Sequence, residues 1–208
     1  MDLLLSNLQS DQFFFAGCIP EYFNKEATKK GVQVVDLMQN SSLAFFNSIA
    51  TAEGAICEAI RRSPVNLHQS SCAVLGYGKC GHTIVQYLHG MFCYLYVAAD
   101  QEEERAQAAI LADRTGSLKA FGECAEEFDF IFNTIPSVVI DSELLKKLKN
   151  TATIIDIASA PGGVDYTAAQ KLGVNATFCP GLPGKYAPYS SAKAMKKTIR
   201  RIQEQVSK

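Results

Sequence analysis

A doubly wound parallel α/β sheet is the fold that this 208-residue sequence predicts. From Ser71 onward, short apolar runs alternate with helical patterns, the rhythm of successive β-α-β units. The runs are apolar throughout rather than at every second residue, as strands covered on both faces are. The first run leads directly into VLGYGKCG (74–81), where Gly76, Gly78 and Gly81 stand at the spacing G-x-G-x-x-G.

Along the chain, FFFAG (13–17), PEYFNKEATKKG (20–31) and VQVVDL (32–37) read as one β-α-β unit, too small to bury a core alone. NSIATAEGAICEAIRR (47–62) is a helix with Ala, Ile and Cys along one side. CAVLG (72–76) is a strand, followed by a helix from Gly81 to about Phe92. CYLYVA (93–98) is the next strand, and Glu102 to Ala112, rich in Ala and Glu, the next helix. FDFIFN (128–133) is a strand, and SELLKKLKN (142–150) is a short amphipathic helix capped by Asp141 or Ser142. TIIDIA (153–158) is a strand, TAAQKLG (167–173) a helix closed by Gly173, and NATFCPG (175–181) the last strand. In SAKAMKKTIRRIQEQV, Met195, Ile199, Ile202 and Val206 form one apolar stripe. The opposite face of that helix carries five Lys and Arg and reads as solvated surface. The expected divisions are 1–46, a linking helix 47–62, the sheet domain 63–188 and a C-terminal helix 189–208.

Composition excludes several classes. Twenty Lys and Arg balance 21 Asp and Glu, so neither a nucleic-acid footprint nor a membrane-surface patch is expected. The longest apolar run falls short of the roughly 18 to 20 residues that span a bilayer. Asp2 stands where a secretory signal places Lys or Arg. Cysteines at 18, 57, 72, 80, 93, 124 and 179 form no C-x-x-C and read as small hydrophobes in a reducing cytoplasm, with no metal site. His68, His82 and His89 read as surface or packing residues.

The three glycines follow a strand and open a helix, the context that a dinucleotide fingerprint requires. Gly76 permits the tight turn, Gly78 lets a phosphate approach the backbone, and Gly81 lets helix and strand pack closely. The helix start adds free N–H groups and partial positive charge. Cofactor choice is read at the end of the next strand, VAADQEEE, where Asp100 lies 24 positions after Gly76. Asp100 is either the holder of a ribose 2′-hydroxyl or the N-cap of the following helix. No cation stands there until Arg105, which leans towards NAD over NADP.

Four further stretches are NSIATAEGAI (47–56), FNTIPS (132–137), IDIASAPGGVD (155–165) and CPGLPGKYAP (179–188). Together with VLGYGKCG they resemble the A subunits of dipicolinate synthase from spore-forming bacteria, in the same order from Phe13 onward. The resemblance implies a two-domain fold akin to the 2-hydroxyacid dehydrogenases. A partial flavodoxin-like N-terminal domain would precede a Rossmann domain, with the C-terminal helix packing back on the N-terminal part. It also implies oxidation of dihydrodipicolinate during sporulation, with NAD or NADP taking the hydride. Further expectations are a homo-oligomer and partnership with a flavoprotein-like B subunit.

Such an oxidation is driven by aromatisation, so the protein chiefly positions two flat partners and holds two carboxylates. The expected cofactor residues are Gly76, Tyr77, Gly78, Lys79, Cys80, Gly81 and Asp100, then Asn133, Thr134, Ile135 and Pro136, then Ala158 and Ser159. Thr134 and Pro136 are expected on the nicotinamide side. Pro161, Gly162 and Gly163 follow one strand, and Leu182, Pro183 and Gly184 the last; these are expected to meet substrate. Gly162 and Gly163 either let backbone approach a ligand or belong to a plain loop. Lys185 is either a carboxylate partner or a surface residue. On the linking helix, Asn47, Ser48 and Thr51 are candidate carboxylate donors and Glu53 a candidate proton acceptor, unless Ser48 and Thr51 form a helix N-cap box. A 2-hydroxyacid dehydrogenase would need a histidine near the C-terminus, and none follows His89. The rival of another class is a cofactor-binding module without catalysis.

Overall fold

The computed structural model describes residues 2–206. Two compact units divide the chain: Met1–Asn47 with Tyr189–Lys208, and Ser48–Pro188.

The smaller unit opens with α1 (Asp2–Asn7), β1 (Phe13–Ala16), α2 (Glu21–Lys29) and β2 (Gln33–Asp36). β1 and β2 pair in parallel, and no third strand joins them among the described residues. Phe14 packs on Phe23 of α2 over a small core of Leu5, Phe23, Ala27 and Val32. Asp36 ends β2 and accepts hydrogen bonds from the backbone N–H groups of Ile19, Met38 and Cys18.

From this unit α3 (Ser41–Arg62) runs into the larger one. Its first turn is capped by Asn40, whose side-chain oxygen accepts the Leu43 N–H at 3.0 Å. The helix therefore starts ahead of the expected Asn47, Ser48 and Thr51 lie within it, and the N-cap box is ruled out. By length and a mean hydropathy of 1.2, α3 is apolar enough to cross a membrane, but half of that window is buried in the protein, as in the core helix of a globular domain.

In the larger unit β3 (Ser71–Leu75), α4 (Lys79–Gly90), β4 (Tyr94–Ala98), α5 (Glu102–Ala108), β5 (Arg114–Gly116) and α6 (Leu118–Glu123) come first. Then follow β6 (Phe130–Asn133), α7 (Ser142–Leu145), β7 (Thr153–Asp156), α8 (Tyr166–Leu172), β8 (Asn175–Phe178) and α9 (Leu182–Tyr186). The six strands are parallel in the order β5-β4-β3-β6-β7-β8, the doubly wound arrangement. Successive strand residues feed opposite cores. Cys72, Val74, Phe130 and Phe132 pack with α3 and α4, whereas Ala73, Leu75 and Ile131 pack with α6, α7 and α8. Asp141 caps α7 and Gly173, at φ 69°, closes α8. β5 and α6 have no counterpart in the sequence reading, because Arg-Thr-Gly makes no apolar run.

The chain ends in α10 (Pro188–Val206). Its most buried residue is Thr198, flanked by half-buried Ala194, Ile199 and Ile202. Met195 is 36% exposed, so the buried stripe is rotated from the expected one; the Val206 side chain lies outside the described residues.

Candidate cofactor site

Strand register collects the quoted motifs on one edge of the larger sheet. Leu75 is level with Ala98 and Asn133, Asn133 with Asp156, and Asp156 with Phe178. The loops after β3, β4, β6, β7 and β8 therefore leave from the same C-terminal edge. Chain winding reverses between β3 and β6, where such sheets open a ligand crevice.

The three glycines of the first loop are glycines for three reasons. Gly76 has φ 87°, and a Cβ there would press on Thr134 and lie 3.0 Å from Ile135 Cγ1. A Cβ on Gly81 would run into the Gly76 carbonyl. A Cβ on Gly78 would meet nothing within 4 Å. Gly78 is the N-cap of α4 and has no side chain to offer, so helix 79–90 begins two residues earlier than expected. The first-turn N–H groups of Lys79, Cys80 and Gly81 have no intrahelical acceptor. Open space faces the start of a 12-residue helix, which fits a diphosphate. Tyr77 offers a ligand little side chain: the residue is 6% exposed and its ring packs edge-on to His82. Burial raises the Tyr77 phenol and the Cys80 thiol above their usual ranges.

At the end of β4, Ala98 and Ala99 are buried and Asp100 is exposed. Asp100 Oδ1 accepts the Leu118 N–H at 3.3 Å. Gln101, not Asp100, is the N-cap of α5, which removes the capping alternative. Arg105 turns back on the strand, donating at 2.7 Å to the Ala99 and Asp100 carbonyls.

After β6, Asn133 is fully buried and spent on the chain itself. Its Nδ2 donates to the Ile135 carbonyl at 3.0 Å and to Asp156 at 2.9 Å, and its Oδ1 accepts the Ile135 N–H. The Thr134 hydroxyl donates to the Leu75 carbonyl at 2.8 Å. Asn133 and Thr134 thus fasten the loop, Asn133 fully buried and Thr134 half-buried, and Pro136, Ser137 and Val138 are its exposed residues.

After β7 the central group is one that sequence reasoning missed. Asp156 is fully buried and accepts four hydrogen bonds, from Asn133 Nδ2, the Ala158 and Gly163 N–H groups, and the Tyr166 hydroxyl. Burial, and then Asp156, push the Tyr166 phenol far above its ordinary range. A Cβ on Gly162, at φ 91°, would lie 2.7 Å from Asp156 Oδ2. One on Gly163 would lie 2.6 Å from the Ile135 carbonyl. The protein's own packing already demands glycine at both positions. Ala158 is 4% exposed, while Ser159 and Pro161 form the exposed tip.

After β8, Leu182 is a core residue, 2% exposed, which corrects its expected place against substrate. Gly54 of α3 admits α9: a Cβ there would lie 2.8 Å from the Tyr186 ring. Pro183 is half-buried in the first turn of α9 and Gly184 faces open space. Lys185 does have a carboxylate partner, but it is the fully buried Glu58, which also accepts from Tyr186 and Arg62. Glu58 and Arg62 stand one helical turn apart and look in sequence like an ordinary surface pair.

On α3, Ser48 is 1% exposed and its hydroxyl meets that of Thr83 at 2.8 Å. Thr83 in turn donates to the Lys79 carbonyl, so Ser48 fastens α3 to the first turn of α4 instead of presenting a donor to solvent. Thr51 and Asn47 are half-buried. Glu53 is exposed and accepts from Tyr87 at 3.1 Å.

Residues 43–167 match the D-isomer specific 2-hydroxyacid dehydrogenase NAD-binding domain, and the chain belongs to that family. Its relatives narrow the likeness further. It is 32% identical over 191 residues to the dipicolinate synthase A subunit of Bacillus subtilis (strain 168), covering 90% of this chain and 63% of that protein. The crystal structure of the B. subtilis protein superposes with a TM-score of 0.90 at 28% identity, over 98% of this chain and 68% of that one. The crystal structure of its Bacillus halodurans counterpart gives 0.85 at 29% identity, over 91% and 65%. The chain thus spans less than two thirds of the length of the curated relative it matches.

Proposed function

We propose that this chain is the cofactor-binding part of a dipicolinate synthase A subunit. In this reading it takes part in oxidising dihydrodipicolinate to dipicolinate in a sporulating cell's cytoplasm, paired with a flavoprotein-like B subunit. The observation that carries the reading is the open space at Gly78 ahead of α4, in a glycine loop whose Gly76 packs against the loop after β6. A nicotinamide dinucleotide bound there supplies the hydride acceptor. Backbone N–H groups of residues 79–81 hold the diphosphate, while Thr134 ties the loop after β6 to the Leu75 carbonyl of β3 and Asn133 fixes that loop through Ile135. Pro136, Ser159 and Pro161 are the exposed residues from which the nicotinamide and substrate sides are built. Aromatisation provides the driving force, so the chain needs no strong acid–base pair. Glu53, exposed beside Tyr87, is the proton acceptor nearest the start of α3 in the larger unit.

The cofactor proposed is NAD. The β4 corner carries Asp100, Glu102, Glu103 and Glu104 against one cation, Arg105, whose guanidinium is engaged by two carbonyls. A 2′-phosphate would meet repulsion there, whereas Asp100 suits a ribose hydroxyl. The alternative reading is a cofactor-binding module without catalysis. Mixing the purified chain with dihydrodipicolinate and NAD separates them. Growth of reduced-nicotinamide absorbance supports the enzyme; binding of NAD without turnover supports the module; binding of neither cofactor overturns both.

A further inference from the structure

We infer that Asp156 is a positioning residue whose single buried carboxylate holds two of the cofactor-site loops in register, so that ligand affinity depends on a group no ligand touches. The inference rests on the proposed cofactor site. Its basis is the way the four donors are distributed. One oxygen, Oδ1, takes Asn133 Nδ2 at 2.9 Å and the Ala158 N–H at 3.1 Å. The other, Oδ2, takes the Gly163 N–H and the Tyr166 hydroxyl, both at 2.7 Å. Ala158 and Gly163 are the two stems of the loop whose tip is Ser159, Ala160 and Pro161. Clamping both stems leaves the tip little freedom, although it is exposed. Asn133 relays the hold to the neighbouring loop through both its amide atoms, which bond to Ile135. Ile135 in turn abuts Gly76, where the first glycine loop begins. Among the described residues no Lys or Arg forms an ion pair with Asp156. Every partner is a neutral donor aimed at an acceptor, and substitution of a donor for that acceptor cannot be absorbed everywhere. In Asp156→Asn the amide nitrogen would face the Gly163 N–H and the Tyr166 hydroxyl. The tyrosine can turn its proton away; the backbone N–H cannot.

The test uses the full chain and four variants: Asp156→Asn, Asp156→Glu, Tyr166→Phe and, as a matched control, Ile154→Val in the core of the same strand. Two quantities are measured in each, the Kd for NADH by fluorescence titration and hydrogen exchange at the Ala158 and Gly163 amides. Asp156→Asn is expected to raise Kd at least about tenfold and to speed both amides about as much, with Tyr166→Phe intermediate. Ile154→Val is expected to lower thermal stability without moving either readout, and Asp156→Glu not to restore them, its longer side chain misplacing the acceptor. Kd and exchange within about twofold of the parent in Asp156→Asn, or an equal change in Ile154→Val, overturn the inference. If Asp156→Asn does not fold, Tyr166→Phe decides on the same two readouts. If the parent binds no NADH, the proposed function fails, and amide exchange alone still decides the clamp.

Discussion

Asp36 at the end of β2 and Asp156 at the end of β7 each collect backbone N–H groups from loops that leave a parallel strand. Their surroundings differ. Asp156 lies in a sheet whose β6 and β7 are buried at every residue, and three of its four hydrogen bonds are buried, the Tyr166 bond partly so. Asp36 ends a strand of a two-stranded sheet whose β1 residues are all only half-buried, and two of its three bonds face solvent. The larger unit can therefore fix the backbone that a ligand would meet, because most of these loop bonds do not compete with water. The smaller unit uses the same closure where most of the bonds are contested. The glycine-rich loops of the larger unit extend the lesson: Gly162 and Gly163 are filled up to by protein, and Gly78 is left open.

If internal packing fixes the loop after β7, the largest effect will come from filling it. Gly163→Ala places a methyl group 2.6 Å from the Ile135 carbonyl, a backbone atom that cannot swing aside. A loss of about 3 kcal/mol is expected, at the upper end for overpacking. Gly78→Ala, by contrast, should change stability by less than about 0.5 kcal/mol, as surface changes do. Equal unfolding midpoints in denaturant would break the distinction between the two loops.

Gly78→Asp sharpens it from the other side. The space is open, so the fold and its midpoint should persist, and an aspartate suits a helix N-cap. A carboxylate where a diphosphate must sit should nonetheless weaken NADH binding at least about 100-fold. Unchanged titration by this variant would show that the open space is not the diphosphate site.

Removing one of the buried ties around that helix should cost less. Ser48→Ala deletes the hydroxyl that meets Thr83, and a loss of about 1 kcal/mol is expected with Kd nearly unchanged. A large rise in Kd at unaltered stability would return Ser48 to the ligand-binding set from which its burial removes it.

Much of the larger unit is legible in sequence because its signals are local. The alternation of apolar runs gives five of the six strands of its sheet, and the glycine spacing places the first loop at the right edge. β5 is three residues long and opens with an exposed arginine, so no hydrophobic period marks it. The site residues divide by the same criterion. Gly76, Gly78 and Gly81 carry their reason in the backbone, and spacing reveals it. Asn133, Asp156 and Tyr166 are joined across two strand ends and the start of α8, and nothing in the local pattern distinguishes the Asp156 in TIIDIA from a strand-end polar residue. Ser48 and Glu58 are obscure for the same reason, since their partners lie 35 and 127 positions away. Chain-distant hydrogen bonding is the part of this fold that a single sequence conceals.

The smallest effect expected is an acid response confined to the smaller unit. The Ile19, Met38 and Cys18 N–H groups, opposed by some burial, hold the Asp36 carboxyl below its usual range, the Ile19 bond contributing most. A carboxyl whose pKa is lowered by folding contributes stability that is complete above its unfolded value, about 4, and is lost as pH falls through the folded one. Amide exchange at Ile19 and Met38 should therefore quicken as pH drops below about 4, once intrinsic rates are corrected for. Asp36→Asn should remove the pH dependence and leave those amides at their acid-limited rate throughout. A parent and variant that respond alike to acid would mean that the three bonds add nothing to the closure of β2, and that burial, not acceptor placement, separates the two aspartates.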